Sequence, residues 1–249
     1  MRIPAVQKAP LQLPALIDEA QQLAGTLQDT PTTELSKMMA ISPKKASEVQ
    51  QMYSQWSRHS REQTPAIDAF VGDIYSGMQV QTWSEADREY AHKHLLILSG
   101  LYGALRACDG IMPYRLEMGY KLPDGTSLYD YWGDKLTSVL PDSTSIIVNL
   151  SAVEYTKTLL PYVDLPIITP KFMTISPKTN QPTFVTVHAK IARGAFARWM
   201  ILNRIYEPRR LHEFSDLGYV YNAELSSESQ PVFVAERFEG IGLSVRLTK

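Results

Sequence analysis

From Leu13 to Leu27 the apolar residues Leu16, Ala20, Leu23 and Leu27 recur on one stripe, which predicts an amphipathic helix. A second helical region runs from about Thr33 to Arg58, interrupted near Ser42-Pro43. Glycines at 72 and 77 bracket Ile74-Tyr75, so Ala69 to Gly77 reads as a short strand and turn. Ser84 is a good N-cap for a helix through Leu98, with Glu85, Asp87 and Glu89 in its first turn. Leu128 to Val139 is a further helix, ended before Pro141.

The second half alternates in type. Ile146 to Leu150 is a β-branched apolar run and predicts a strand, followed by a helical stretch from Ala152 to Leu160. Leu165 to Ile168 predicts another strand. Thr183 to Val187 alternates and predicts a strand feeding a helix from about His188 to Ile205. Gly218 to Tyr221 and Val232 to Glu236 predict late strands joined by a polar turn. The expected fold class is α/β (mixed α+β), with a mixed sheet covered by helices. No repeat or Gly/Ser-rich linker divides the chain, so residues 1–249 are expected to form a single compact domain.

The 249 residues are 44% hydrophobic and 20% charged, an ordinary globular balance. There is no apolar run long enough to span a bilayer, and Met1 to Pro10 has no apolar core of a secretory signal. Cys108 is the one cysteine, which excludes an intramolecular disulfide and makes the reducing cytosol the expected location. The net charge of −1 argues against a general nucleic-acid sponge, but its distribution is uneven. Lys190, Arg193, Arg198, Arg204, Arg209 and Arg210 fall together with only Glu207 among them, and Glu213 to Glu239 is acidic. Such polarity can build a basic, phosphate-attracting surface, or simply a solvated helix face.

The segment Leu35 to Val49 resembles the helix-hairpin-helix motif of DNA-binding proteins that do not read sequence. That pattern has an apolar helix, a Gly-apolar-Gly hairpin, three polar residues, then Ala and an apolar residue three further on. Here the hairpin triplet is Ala40-Ile41-Ser42, followed by Pro43-Lys44-Lys45, Ala46 and Val49. Ala40 and Ser42 stand where the pattern has glycine. Pro43 suits the first turn of a helix, free amides from Ser42 to Lys45 can face a phosphate, and Lys44 and Lys45 add charge there. Ile41 is expected to plug the gap between the helices, beside Leu35, Met38, Ala46, Val49 and Met52. The same residues also fit an ordinary helix pair with a Ser-Pro cap.

Further motifs are similar to those of the peroxide-stress YaaA family. They are Phe70-Val71-Gly72-Asp73-Ile74-Tyr75-Ser76-Gly77, Leu98-Ser99-Gly100-Leu101-Tyr102-Gly103-Ala104-Leu105-Arg106 and Met112-Pro113-Tyr114-Arg115-Leu116-Glu117-Met118-Gly119. Tyr129 to Asp134, Asn149-Leu150-Ser151, Glu154-Tyr155 and Ala189 to Gly194 follow in matching order. The resemblance implies a one-domain α/β fold with a helix-hairpin-helix element (about residues 33–58) and a positively charged cleft. It also implies DNA binding and a role in oxidative stress that keeps free iron low. Family members usually open with a short apolar strand and a Ser-Pro-Ala-Lys-like turn. This chain opens Met1-Arg2-Ile3-Pro4-Ala5-Val6 and shows no such strand.

The candidate DNA contacts are therefore Ala40, Ile41, Ser42, Lys44 and Lys45. On an extended chain Arg115 and Glu117 share one face, with Tyr114, Leu116 and Met118 on the other, so the charged pair could line a cleft or face solvent. Lys190 and Arg193 are i,i+3 neighbours on a helix, beside His188 at a strand-to-helix junction, and could take phosphate or pair with C-terminal acids. Asn149, Ser151 and Tyr155 follow the carboxyl end of a strand, where open α/β sheets hold ligands, though Asn149 could equally cap the next helix. No metal ligand set is visible, since His92 and His94 diverge on a helix, and no nucleotide fingerprint or nucleophile elbow occurs. No cofactor is expected. The expected partner is double-stranded or structured DNA. The alternative is an enzyme acting on a nucleotide-like small ligand, nucleobase or nucleic acid at the polar cluster.

Overall fold

In the computed structural model, which describes residues 11–242, helices and short strands alternate along the chain. The opening Met1–Pro10, where the family-typical strand is expected to be missing, lies outside the described residues. Helices α1 (Ile17–Asp29), α2 (Thr32–Met38) and α3 (Pro43–Ser54) come first, then β1 (Thr64–Pro65), α4 (Ala66–Ala69), α5 (Asp73–Met78) and α6 (Glu85–His94). Next are β2 (Leu96–Ser99), β3 (Gly103–Arg106), β4 (Gly110–Ile111) and α7 (Leu128–Trp132). The remainder is β5 (Ile147–Val148), α8 (Val153–Thr156), β6 (Ile167–Ile168), β7 (Lys171–Ile175), β8 (Pro182–Thr183), α9 (Thr186–Leu202), β9 (Tyr219–Tyr221) and β10 (Val232–Ala235). The fold class is mixed α/β, as the sequence pattern predicts. Among the described residues no helix is long and apolar enough to cross a membrane.

Two compact units share the chain, each assembled from separate stretches. Of the described residues the first takes those up to Ala69, Ala91–Ser143 and Ser151–Asp164; the second takes Phe70–Tyr90, Thr144–Leu150 and those from Leu165 on. In the first unit the predicted apolar stripe of α1 is buried through Ala20, Leu23 and Leu27, and Leu35, Ala46, Val49 and Tyr53 of α2 and α3 are buried too. β2 and β3 form an antiparallel hairpin, with Ser99 paired to Gly103. The turn between them is held from within: the Tyr102 amide donates to Ser99 Oγ at 3.0 Å, and the Trp132 indole donates to the Gly100 carbonyl at 3.0 Å.

The second unit holds a four-stranded mixed sheet in the order β8-β7-β10-β9. β7 and β10 run parallel while both outer pairings are antiparallel. An aromatic core fills the space beside it: Phe172 lies 5.7 Å from Phe196, 5.4 Å from Tyr219 and 5.5 Å from Phe233, mostly edge to face. α9 crosses α5 so closely that a methyl group on Gly194 would fall inside contact distance of the Ile74 carbonyl. One on Gly77 would meet the Ile191 carbonyl. Arg204, just past the end of α9, pairs with Asp87 at 2.8 Å and lies 4.4 Å over the Tyr90 ring. Asp87 also closes a capping box: its amide donates to Ser84 Oγ and its carboxylate accepts from the Ser84 amide.

Several elements depart from the sequence expectations. Ala69 to Gly77 is not a strand and turn: α4 and α5 occupy it, because Gly77 is there for close helix packing and not to bend the chain. The helix expected through Leu98 stops at His94, and Leu96–Ser99 pairs with β3. Leu128 to Val139 breaks at Gly133 (φ 48°) into α7 and a 3-10 turn over Lys135–Val139. The expected Ala152 to Leu160 helix is a single turn of four residues. Of the Thr183 to Val187 strand, Thr186 and Val187 belong to α9. β7, the strand that pairs with β10, has no counterpart in the sequence reading, although its alternating burial is regular once seen.

Gly194→Ala is expected to destabilise the protein by about 3 kcal/mol, since two backbones must separate to admit one methyl; urea unfolding checks this. A second expectation concerns Asp109, 2% exposed, whose carboxylate accepts from the Arg106 amide at 2.8 Å. Burial pushes its carboxyl up to about 6, against the pull of that amide and of the Arg106 charge. The folded state therefore holds this proton more tightly than the unfolded chain, whose ordinary value is 3.8. The associated stability is fully present below that value and is lost as pH rises through about 6. His92 accepts from the Cys108 amide through Nδ1, and burial lowers its pKa, so its contribution runs the opposite way. Comparing wild type with Asp109→Asn across the same pH range cancels that. The variant is expected to gain on the order of 2 kcal/mol relative to wild type between about pH 4 and 7.

Candidate nucleic-acid interface

α2 ends where its chain turns left-handed at Ala40 (φ 49°). The Ile41 amide reaches back to the Ser36 carbonyl at 3.1 Å and the Ala40 amide to the Lys37 carbonyl at 3.3 Å. This is a Schellman stop, in which glycine is the usual left-handed residue and Ala40 takes its place. The Ser36 hydroxyl donates to the Ile41 carbonyl at 2.6 Å and fixes the bend from the other side. Ser42 then caps α3, its Oγ accepting from the Lys45 amide at 3.3 Å, and Pro43 sits at the first helical position. Of the two positions that resemble glycines, Ala40 has the positive φ and Ser42 (φ −64°) does not.

The bend faces outward. Ala40, Ser42, Pro43, Lys44 and Lys45 are exposed and Ile41 is half-buried. The amides of Ser42 and Lys44 donate to no carbonyl among the described residues, while the Ala46 amide returns to the Ser42 carbonyl. The lysines differ: Lys45 is paired to Glu48 at 2.7 Å, and Lys44 makes no salt bridge among the described residues. That pairing, with the Lys44 charge nearby, holds the Glu48 carboxyl below its ordinary value. Of the expected plug residues Leu35, Ala46 and Val49 are fully buried, whereas Ile41, Met38 and Met52 are only half-buried. Tyr53 and Met39 complete that small core and went unnoticed in the sequence.

The segment Tyr114 to Met118 belongs to no strand and turns at Met118-Gly119, but its burial alternates as expected on the apolar side, with Leu116 and Met118 buried and Arg115 and Glu117 half-buried. It is clamped along its length. The Tyr53 hydroxyl, from α3, donates to the Arg115 carbonyl at 2.9 Å, and Tyr114 shares a hydrogen bond of 2.6 Å with Ser99. Gly100 lies so close to the Leu116 carbonyl that no side chain would fit there. The Tyr155 hydroxyl donates to Glu117 Oε2 at 3.1 Å, and Ser151 and Thr156 share a 2.8 Å hydrogen bond. Arg115, Glu117, Ser151 and Tyr155 thus fall in the first unit.

Asn149, His188, Lys190 and Arg193 fall in the second. Asn149 does not cap the next helix; its side chain donates to Thr169 Oγ1 at 3.3 Å and its amide to the Ile168 carbonyl at 2.7 Å. His188 Nδ1 is 3.1 Å from Thr174 Oγ1, and its ring stacks on Phe238 at 4.1 Å. Burial lowers its pKa, which favours the neutral ring. Lys190 is exposed and Arg193 half-buried. Within this basic run Arg204 pairs with Asp87, Arg209 with Glu207 and Arg210 with Glu213. Among the described residues no group of three or more His, Cys, Asp or Glu could hold a metal ion.

A family model described as peroxide stress protein YaaA matches residues 2–225. A UPF0246 protein of Salinispora tropica is 47% identical over 241 residues, covering 96% of this chain and 91% of the relative. UPF0246 proteins of Ruegeria pomeroyi and Paraburkholderia phytofirmans are 39% and 38% identical over 231 and 235 residues. Each covers 89% of this chain, and the chain covers 90% and 89% of them.

Ala40 holds a conformation that costs an L residue with a Cβ about 1 kcal/mol or more, and glycine there gives back part of that gain in unfolded-state entropy. Ala40→Gly is therefore expected to raise stability by about 0.5 kcal/mol, read from the urea midpoint at constant slope. A loss of 1 kcal/mol would contradict the left-handed stop.

Proposed function

This chain belongs to the peroxide stress protein YaaA family, and we propose that it acts in that response by binding duplex or structured DNA through phosphates, largely without regard to sequence. The observation that carries the reading is the outward bend between α2 and α3. Its Ser42 and Lys44 amides have no carbonyl partner among the described residues, and the Lys44 ammonium makes no salt bridge there. Amides at the start of a twelve-residue helix carry partial positive charge and suit a phosphate oxygen. Contacts of this kind hold the backbone and carry no sequence information, which fits a protein that shields DNA rather than reads it. Helix, bend and helix together form the helix-hairpin-helix element of the proposal. Lys190 and Arg193, with a positively charged cleft, are proposed as secondary phosphate contacts. The lowering of free iron belongs to the same proposal as a consequence of the stress role, with no iron ligand assigned to this chain.

The test is duplex binding followed by fluorescence anisotropy across a salt series. Lys44→Glu is expected to weaken binding about tenfold at low salt and to flatten the plot of log affinity against log salt by about one. Lys45→Glu is expected to do less, because Lys45 already spends its charge on Glu48. Scrambling the duplex sequence should leave affinity within about twofold. Equal affinity of wild type and Lys44→Glu at low salt, with both folded, would remove the bend from the reading.

A further inference from the structure

We propose that Arg115, Glu117 and Tyr155 form a nucleobase site on the first unit, selective for guanine, separate from the bend and not dependent on it. The motivating fact is an unmade pair. Arg115 and Glu117 stand two residues apart, half-buried in alternation with the buried Leu116 and Met118 and of opposite charge, yet no salt bridge joins them. Arg115 Nε is buried with no hydrogen-bond partner, and its guanidinium pairs with no carboxylate among the described residues. Among the described residues the Glu117 carboxylate accepts only from the Tyr155 hydroxyl. A guanidinium offers five N–H donors and a carboxylate about four acceptor positions, so nearly all of this capacity is open. Leaving such groups half-buried and unpaired costs free energy, and a ligand that bridges them recovers it.

The backbone beneath them cannot relax to bring the two charges together. Leu116 and Met118 anchor the opposite face, Tyr53 holds the Arg115 carbonyl, and the Gly100 backbone abuts Leu116. Two residues apart, the two Cα atoms stand at most about 7 Å from each other, a spacing that suits two neighbouring edges of one planar base. Tyr155 orients the carboxylate with one oxygen and leaves the other free. The ligand must therefore present N–H donors to Glu117 and, next to them, acceptors to Arg115. Guanine does so in that order round its rim: two N–H groups, then O6, then N7, the last two being the usual targets of an arginine fork. Adenine and cytosine supply one amino group beside an acceptor, and uracil has a single N–H between two carbonyls, so each satisfies fewer of the open positions.

Calorimetric titration of the full chain with GMP, AMP, CMP and UMP at low salt tests this, with free glutamate as the zwitterion control. GMP is expected to bind at least tenfold more tightly than the others. Glu117→Gln replaces an acceptor by a group that also donates, and is expected to erase the guanine preference while melting like wild type. Tyr155→Phe should weaken GMP about threefold to tenfold and keep the ranking of bases, and Arg115→Gln should weaken all four. The ranking is the readout that a merely structural role would not move. No GMP binding at millimolar concentration by folded wild type overturns the proposal, as does tighter binding of glutamate than of GMP or an unchanged ranking in Glu117→Gln. Duplex binding that still depends on Lys44 in the same preparation shows the bend reading surviving that failure.

Discussion

Tyr53 is fully buried, and a buried phenolic hydroxyl must find an acceptor or forfeit the hydrogen bond it had with water. Its acceptor is the carbonyl of Arg115, sixty-two residues away in the chain. That one bond fixes the far end of α3 to the segment that carries Arg115 and Glu117. The near end of α3 carries Ser42, Pro43 and Lys44, roughly 15 Å away along the helix axis. Both candidate sites of the first unit are thus mounted on one rigid rod. Desolvation and the hydrogen bond to Arg115 act oppositely on the hydroxyl, and desolvation dominates, raising its pKa and keeping it neutral and donating. The clamp does not titrate near neutral pH.

A chain with a net charge of −1 can still present anion-binding groups, because what matters is where charge is left unmatched. Lys45, Arg204, Arg209 and Arg210 are spent on neighbouring acids, and the exposed pairs of Lys45, Arg209 and Arg210 contribute little to stability or to attraction. Lys44 and the amides beside it are left open on the surface. Arg115 is left open in a half-buried setting, where an unmatched charge is worth more to a ligand. Counting basic residues along the sequence would single out 190–210, whereas Arg204, Arg209 and Arg210 of that run are already paired with acids.

The second unit depends on a different constraint, the approach of two helix backbones at Gly77 and Gly194. Each glycine lets the partner's carbonyl occupy the space a Cβ would fill, and α9 in turn lays Phe196 against Phe172, Phe214 and Phe233. The same glycine explains why the sequence misleads between 69 and 77. Paired glycines around a short apolar run are a local signature of a turn, but Gly77 answers to a helix more than a hundred residues later. The lost end of the helix at Leu96–Ser99 has a similar origin, since those apolar residues fit either period until β3 offers a partner.

What the chain order alone determined was local: the stripe of α1, the caps at Ser42 and Ser84, the Pro43 start, the hairpin of β9 and β10, and the mixed α/β class. Each follows from contacts within a few residues, where period and capping chemistry decide the outcome. The residues of the bend were legible for the same reason, as was the alternation that buries Leu116 and Met118 and leaves Arg115 and Glu117 half-buried. Tertiary structure alone decided that Ala40 takes the left-handed turn while Ser42 does not, that Lys45 is spent and Lys44 is open, and that Tyr155 and not Arg115 meets Glu117. Those outcomes turn on which partner reaches a charge or a hydroxyl first across long loops, and pairing at that range is set by packing and desolvation rather than by spacing in the sequence.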